Sequence, residues 1–105
     1  MFLILLNNVT NMWGMFRKCI SLNEINVSNF NTKKVKDMSY MFFNCSSLKE
    51  LNLSSSFTAN QVNEMYDIFA GCSSLKELNC LDAKIQKKLN NYFLVHFLLF
   101  FYHYI

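Results

Sequence analysis

Apolar and polar positions recur along this chain in a unit whose two halves have different periods. In one copy Val35, Met38, Met41 and Phe42 stand at i, i+3, i+6 and i+7, the spacing of one face of about two helical turns. The period then changes. In "LKELNL" the residues Leu48, Leu51 and Leu53 follow L-x-x-L-x-L, and the last three positions alternate as in a short strand whose Asn52 faces the other way. The pattern predicts a short helix followed by a short strand. One such unit cannot bury its own apolar face, so neighbouring copies must stack to make a continuous core.

The unit occurs three times. An earlier copy runs through Val9, Met12, Met15, Phe16, Cys19, Leu22, Ile25 and Val27, and a later one through Val62, Met65, Ile68, Phe69, Cys72, Leu75, Leu78 and Cys80. The octapeptide "CSSLKELN" stands unchanged at 45–52 and 72–79. Copies begin 26 and then 27 residues apart, and the extra residue is assigned to Ser54-Ser55-Ser56, where "SNFNTKKV" becomes "SSSFTANQV". The expected organisation is an N-terminal apolar strand remnant (1–8), three repeats (9–34, 35–61, 62–81) and a C-terminal hydrophobic helical cap or tail (82–105).

The two ends follow other patterns. "MFLILL" has no basic residue before it and no small-residue cleavage site, so it is read as a strand covering the first repeat and not as a signal peptide. After Asp82, a good N-cap, Ile85, Leu89, Tyr92, Phe93 and His96 share one helical face, with Lys84, Lys87 and Lys88 largely elsewhere. "YFLVHFLLFFYHYI" is then apolar on all sides. As a helix it reaches about 21 Å, short of the roughly 30 Å hydrocarbon core of a bilayer. A cap over the last repeat, a membrane-touching tail and out-of-frame sequence are the three readings.

Composition narrows the function classes. The chain has 105 residues, 52% of them hydrophobic and 16% charged, enough apolar surface for one folded domain. With no proline and two glycines, turns fall to Asn and Ser. Residues 1–82 hold seven basic and seven acidic side chains, so the net charge of +3 resides in Lys84, Lys87 and Lys88. A neutral body excludes nucleic acid as a partner, since binding it needs a basic face.

The blocks "NVTNMWGMFRKCISLNEINVSNFNT", "VKDMSYMFFNCSSLKELNLS" and "VNEMYDIFAGCSSLKELN" resemble the BspA-like leucine-rich repeats, also known as a mycoplasma-type lipoprotein repeat (DUF285-like). That family carries V-x-x-M-x-x-M-F-x-x-C-x-x-L-x-x-L-x-L-S-x-F in tandem, and the resemblance covers about residues 8–80. It implies an α/β solenoid, a right-handed stack of three helix-strand units with a parallel sheet on its concave side. It also implies a secreted or surface-displayed protein used for adhesion and protein contact, without enzyme activity. The departures are Cys80 in place of an aliphatic residue and the loss of the pattern after Asp82. They lead to the expectation of a short or fragmentary member, down to a non-functional gene fragment.

Candidate chemistry is sparse. Cys19, Cys45 and Cys72 recur at the repeat period with no C-x-x-C pair, which points to a ladder of reduced, buried thiols and to no metal site. His96 and His103 lie in the apolar tail with no acidic residue after Asp82 to orient them, so no catalytic residue, metal or cofactor is assigned. The concave face is the candidate binding surface: Asn23, Glu24 and Asn26; Lys49, Glu50 and Asn52; Lys76, Glu77 and Asn79. Asn26, Asn52 and Asn79 are expected in one row, with Glu50 above Glu77 and Lys49 above Lys76 as like-charge pairs. The function this supports is contact with a protein or another extracellular macromolecule, with membrane contact through Tyr92 to Ile105, or self-association, as the alternative.

Overall fold

The structure, a computed structural model, describes residues 8–27, 29–53 and 56–104. The expected N-terminal strand falls almost wholly outside the described residues, as do Ser54 and Ser55 and the final Ile105. In chain order come β1 (Glu24–Asn26), β2 (Glu50–Asn52), β3 (Glu77–Asn79) and one helix, α1 (Ala83–Tyr104). The strands form an open parallel sheet in the order β1-β2-β3, so the fold is α/β. The register pairs Glu24 with Glu50 and Glu77, Ile25 with Leu51 and Leu78, and Asn26 with Asn52 and Asn79. One strand comes from each repeat, and the central apolar residue of β1 and β2 is buried between two exposed polar ones. That is the alternation a half-buried strand requires.

The short helix predicted in each repeat is not a helix. Among the described residues α1 is the one α-helix, and the repeats carry back-to-back four-residue turns in its place. In the middle copy Met41 N–H donates to the Met38 carbonyl and Cys45 N–H to the Phe42 carbonyl, both at 3.2 Å. The third residue of each turn, Tyr40 (φ 58°) and Asn44 (φ 57°), is left-handed, as are Gly14 and Lys18 in the first copy and Asp67 and Gly71 in the third. A positive φ at the third position marks a type II turn. Two such turns in tandem turn residues 38, 41, 42 and 45 inward, and all four are buried. This is also the i, i+3, i+4, i+7 signature of an amphipathic helix, so the pattern alone could not separate the two.

Hydrogen bonding between copies decides in favour of turns. The N–H groups of Met38, Tyr40, Phe42 and Asn44 donate to the carbonyls of Glu64, Tyr66, Ile68 and Ala70 at 2.8–3.0 Å, and those of Met12, Gly14, Phe16 and Lys18 donate to Asp37, Ser39, Met41 and Phe43. An α-helix leaves free only the N–H groups of its first turn, which point along its axis, and spends the rest on its own carbonyls, so it presents no alternating row of donors to a neighbour at its side. The turns release alternate N–H groups, and these offset the roughly 1–2 kcal/mol that a left-handed L-residue costs.

The core lies between the turn row and the strand row. Phe16, Phe42 and Phe69 stack with centroids 5.6 and 5.8 Å apart and planes within 4°, a repeat-spaced column of the geometry that favours aromatic pairs. The Cys45 thiol donates to the Phe16 carbonyl and the Cys72 thiol to the Phe42 carbonyl, each at 3.0 Å. Cysteine suits this corner because it is a small apolar side chain that carries a weak donor. All four cysteines are free thiols; Cys45, Cys72 and Cys80 are buried and Cys19 is half-buried. Burial pushes the Cys72 thiol up to about 12, with the neighbouring Cys45 adding to the rise. At the first repeat the leucine pattern misleads: Leu22 is 41% exposed where Leu48 and Leu75 are 0% and 4%.

Asp82 joins the repeats to α1. One carboxylate oxygen accepts the Ile85 N–H at 3.1 Å, as an N-cap does, while the other accepts the Ala59 N–H at 2.8 Å and the Thr58 hydroxyl at 3.2 Å. Burial acts to raise this carboxyl, but the N–H and O–H donors outweigh it and hold it below its ordinary value. Ile85 and Leu89 then enter the core and Tyr92 lies half-buried beside it, leaving a cleft of 290 Å³ where Lys88, Asn91 and Tyr92 face Asp67, Phe69 and Ala70. Beyond Tyr92 the described side chains of α1 are exposed. Among the described residues no helix is long and apolar enough to cross a membrane.

Candidate functional site

Each repeat delivers its strand with the sequence E-[I/L]-N, so parallel pairing without slippage turns one repeat's exposed residues into rows across three. Glu24, Glu50 and Glu77 form one row and Asn26, Asn52 and Asn79 another, on the sheet face opposite the buried Ile25 and Leu51. The Asn79 amide donates to the Asn52 side-chain carbonyl at 2.6 Å. Asn23, Lys49 and Lys76 precede the strands and continue the backbone ladder, with Lys49 N–H donating to the Asn23 carbonyl at 2.8 Å and Lys76 N–H to the Lys49 carbonyl at 3.0 Å. All nine residues are exposed. Asn23, Glu24, Lys49 and Glu50 share an open depression of 450 Å³ with Ser21 and Leu22. The surface is polar, shallow and of mixed charge.

A second surface lies on the opposite, turn side. Trp13 and Tyr40 have ring centroids 5.4 Å apart, and Tyr40 meets Phe43 edge-on at 5.5 Å. The Arg17 guanidinium lies 5.9 Å from the Trp13 ring centroid and 5.6 Å from that of Phe43, the range of a cation–π contact. Trp13 is 51% exposed, and Tyr66 stands further along the same side at 62%. On a helical wheel, too, Trp13 and Arg17 (i, i+4) and Tyr40 and Phe43 (i, i+3) share the face away from the buried Met and Phe positions. In the four-residue turns they point outward on that same side, and the signal available in the sequence was this spacing, with the chain's one tryptophan four residues before an arginine.

Cys72 is buried with a raised thiol pKa, the reverse of an activated nucleophile. His103 is exposed, and the His96 side chain lies outside the described residues. Among the described residues no group of three His, Cys, Asp or Glu side chains could hold a metal ion. The two sides differ in chemistry, with rows of carboxylates and amides on one and stacked rings with a guanidinium on the other.

No curated protein and no solved structure matches the chain. One family model does, that of a Mycoplasma protein of unknown function, DUF285, over residues 5–95. With a match over so much of its length, from before the first repeat to within α1, the chain belongs to the DUF285 family.

Proposed function

We propose that this chain is a non-enzymatic binding module of the BspA-like leucine-rich-repeat type, a short solenoid of three repeats that contacts another protein. Support for the solenoid comes from the in-register copies, joined by one ladder on the strand side and another on the turn side. The observation that carries the binding role is the Trp13–Arg17–Tyr40–Phe43 cluster. Trp, Tyr and Arg dominate the energetic centres of protein interfaces, whereas Lys, Glu and Asp are depleted there. The turn side therefore supplies the anchor, and the Asn and Glu rows of the strand side are a second contact surface with fewer strong anchors.

The test compares the two faces. The full chain and two double variants, Trp13→Ala with Arg17→Ala and Lys49→Ala with Glu50→Ala, are immobilised and exposed to the same protein extract. Proteins retained by the wild type and the strand-side variant, but lost by the turn-side variant, support the reading. If all three retain the same set, or none retains any, the turn-side cluster is not a binding centre.

A further inference from the structure

The second half of α1 leaves the body of the protein and presents Phe93, Leu94, Val95, Leu98, Leu99 and Phe101 to solvent, each at least 40% exposed. Scattered apolar side chains on a surface are ordinary, but a contiguous run of this kind marks a contact site. Geometry around the helix axis chooses the occupant. At 3.6 residues per turn, the exposed positions from 93 to 102 cover an arc of roughly 240°. Packing against a second copy buries a stripe of roughly 100° and leaves more than half of that arc in water. A lipid phase covers it all.

Length and charge choose the depth and the kind of lipid. From Lys88 to Tyr102 the helix rises about 21 Å, too little for the roughly 30 Å hydrocarbon core, in agreement with the lack of a membrane-crossing helix among the described residues. Lys84, Lys87 and Lys88 are exposed at the base of α1, and residues 83–105 contain no Asp or Glu. The net positive charge of the chain is thus concentrated where the helix meets the body. Tyr102 and His103, both exposed, mark the other end with the amphipathic ring chemistry that settles at membrane interfaces.

We propose that α1 inserts into one leaflet of an anionic membrane, its apolar second half sunk below the headgroups. The three lysines and Tyr102 remain at headgroup level at its two ends. The repeats then stand on the membrane surface with both of their own faces free.

Flotation of the full chain with vesicles tests this, using phosphatidylcholine alone and a seven-to-three mixture of phosphatidylcholine and phosphatidylglycerol. Binding to the mixed vesicles is expected, with a loss of roughly fivefold for each lysine replaced and about a hundredfold for Lys84→Gln, Lys87→Gln and Lys88→Gln together. Leu98→Glu with Phe101→Glu should abolish flotation. Both substitutions fall at exposed positions, so the urea midpoint of the repeats should not move. Equal binding to both vesicle types would overturn the anionic assignment. A defined dimer in sedimentation that ignores both vesicles would overturn the proposal outright and give the helix to a second copy.

Discussion

Replacing Gly71 by alanine separates the turn architecture from the helix that the periodicity suggests, because the two give opposite signs. In a helix interior Gly→Ala stabilises by about 0.5–1 kcal/mol. In this fold Gly71 has φ +81°, and an added Cβ would stand 1.9 Å from Asn44 Oδ1 and 3.0 Å from the Asn44 Cα. The left-handed backbone costs an alanine about 1–2 kcal/mol and the overpacking about 1–3 kcal/mol more, so Gly71→Ala should destabilise by about 2–5 kcal/mol. At a slope of about 1 kcal/mol/M, the urea midpoint falls by about 2 M or more. A second background divides the two costs. With Asn44→Gly already present the side-chain collision is gone while the backbone strain remains, so the same substitution should cost less by about 1–2 kcal/mol, a coupling typical of residues in contact. A midpoint that is unchanged or raised by Gly71→Ala refutes the turn geometry. Equal losses in the two backgrounds refute the Asn44 contact.

Asp82→Ala should destabilise by about 1–3 kcal/mol, since it removes the cap from α1 and leaves the Ala59 N–H without its acceptor; chemical denaturation reads this. Because the folded carboxyl is held below its unfolded value, its contribution is present above the ordinary pKa of about 3.9 and is lost as the pH falls through the folded value. A denaturation series from pH 6 to pH 2 should show this loss in the wild type and not in Asp82→Ala. Thiol labelling of the native chain at pH 8 should modify half-buried Cys19 first and Cys72 only on unfolding. For Cys72, whose folded pKa is raised to about 12, the stabilisation is complete below the unfolded value of about 8.5 and is lost as the pH rises from there towards the folded value. Leu51→Ala should cost about 2–5 kcal/mol and Lys49→Ala no more than about 0.5 kcal/mol; equal shifts in the denaturation midpoint would mean that the strand faces are reversed.

The repeat period, the strands and their register follow from the sequence, because identical segments 27 residues apart can pair only in register, and the single apolar residue within E-L-N can face only the core. The polar rows were legible for the same reason: Glu24, Glu50 and Glu77 align because Ile25, Leu51 and Leu78 do. The conformation between the strands was not legible. Met38, Met41, Phe42 and Cys45 face inward in a helix and in tandem turns alike. The choice rests on hydrogen bonds to the next copy, which stabilise the turns only once the copies are side by side. Trp13, Arg17, Tyr40 and Phe43 point away from the core in either conformation, and their contacts across copies exist only because the ladder of turns brings neighbouring copies to hydrogen-bonding distance. Asp82 was readable as a helix cap, but its second set of bonds, to Thr58 and Ala59, exists only because the third repeat closes beside it. Local pattern fixes which side chains seek the core; which backbone groups find partners across copies is settled by the packed structure alone.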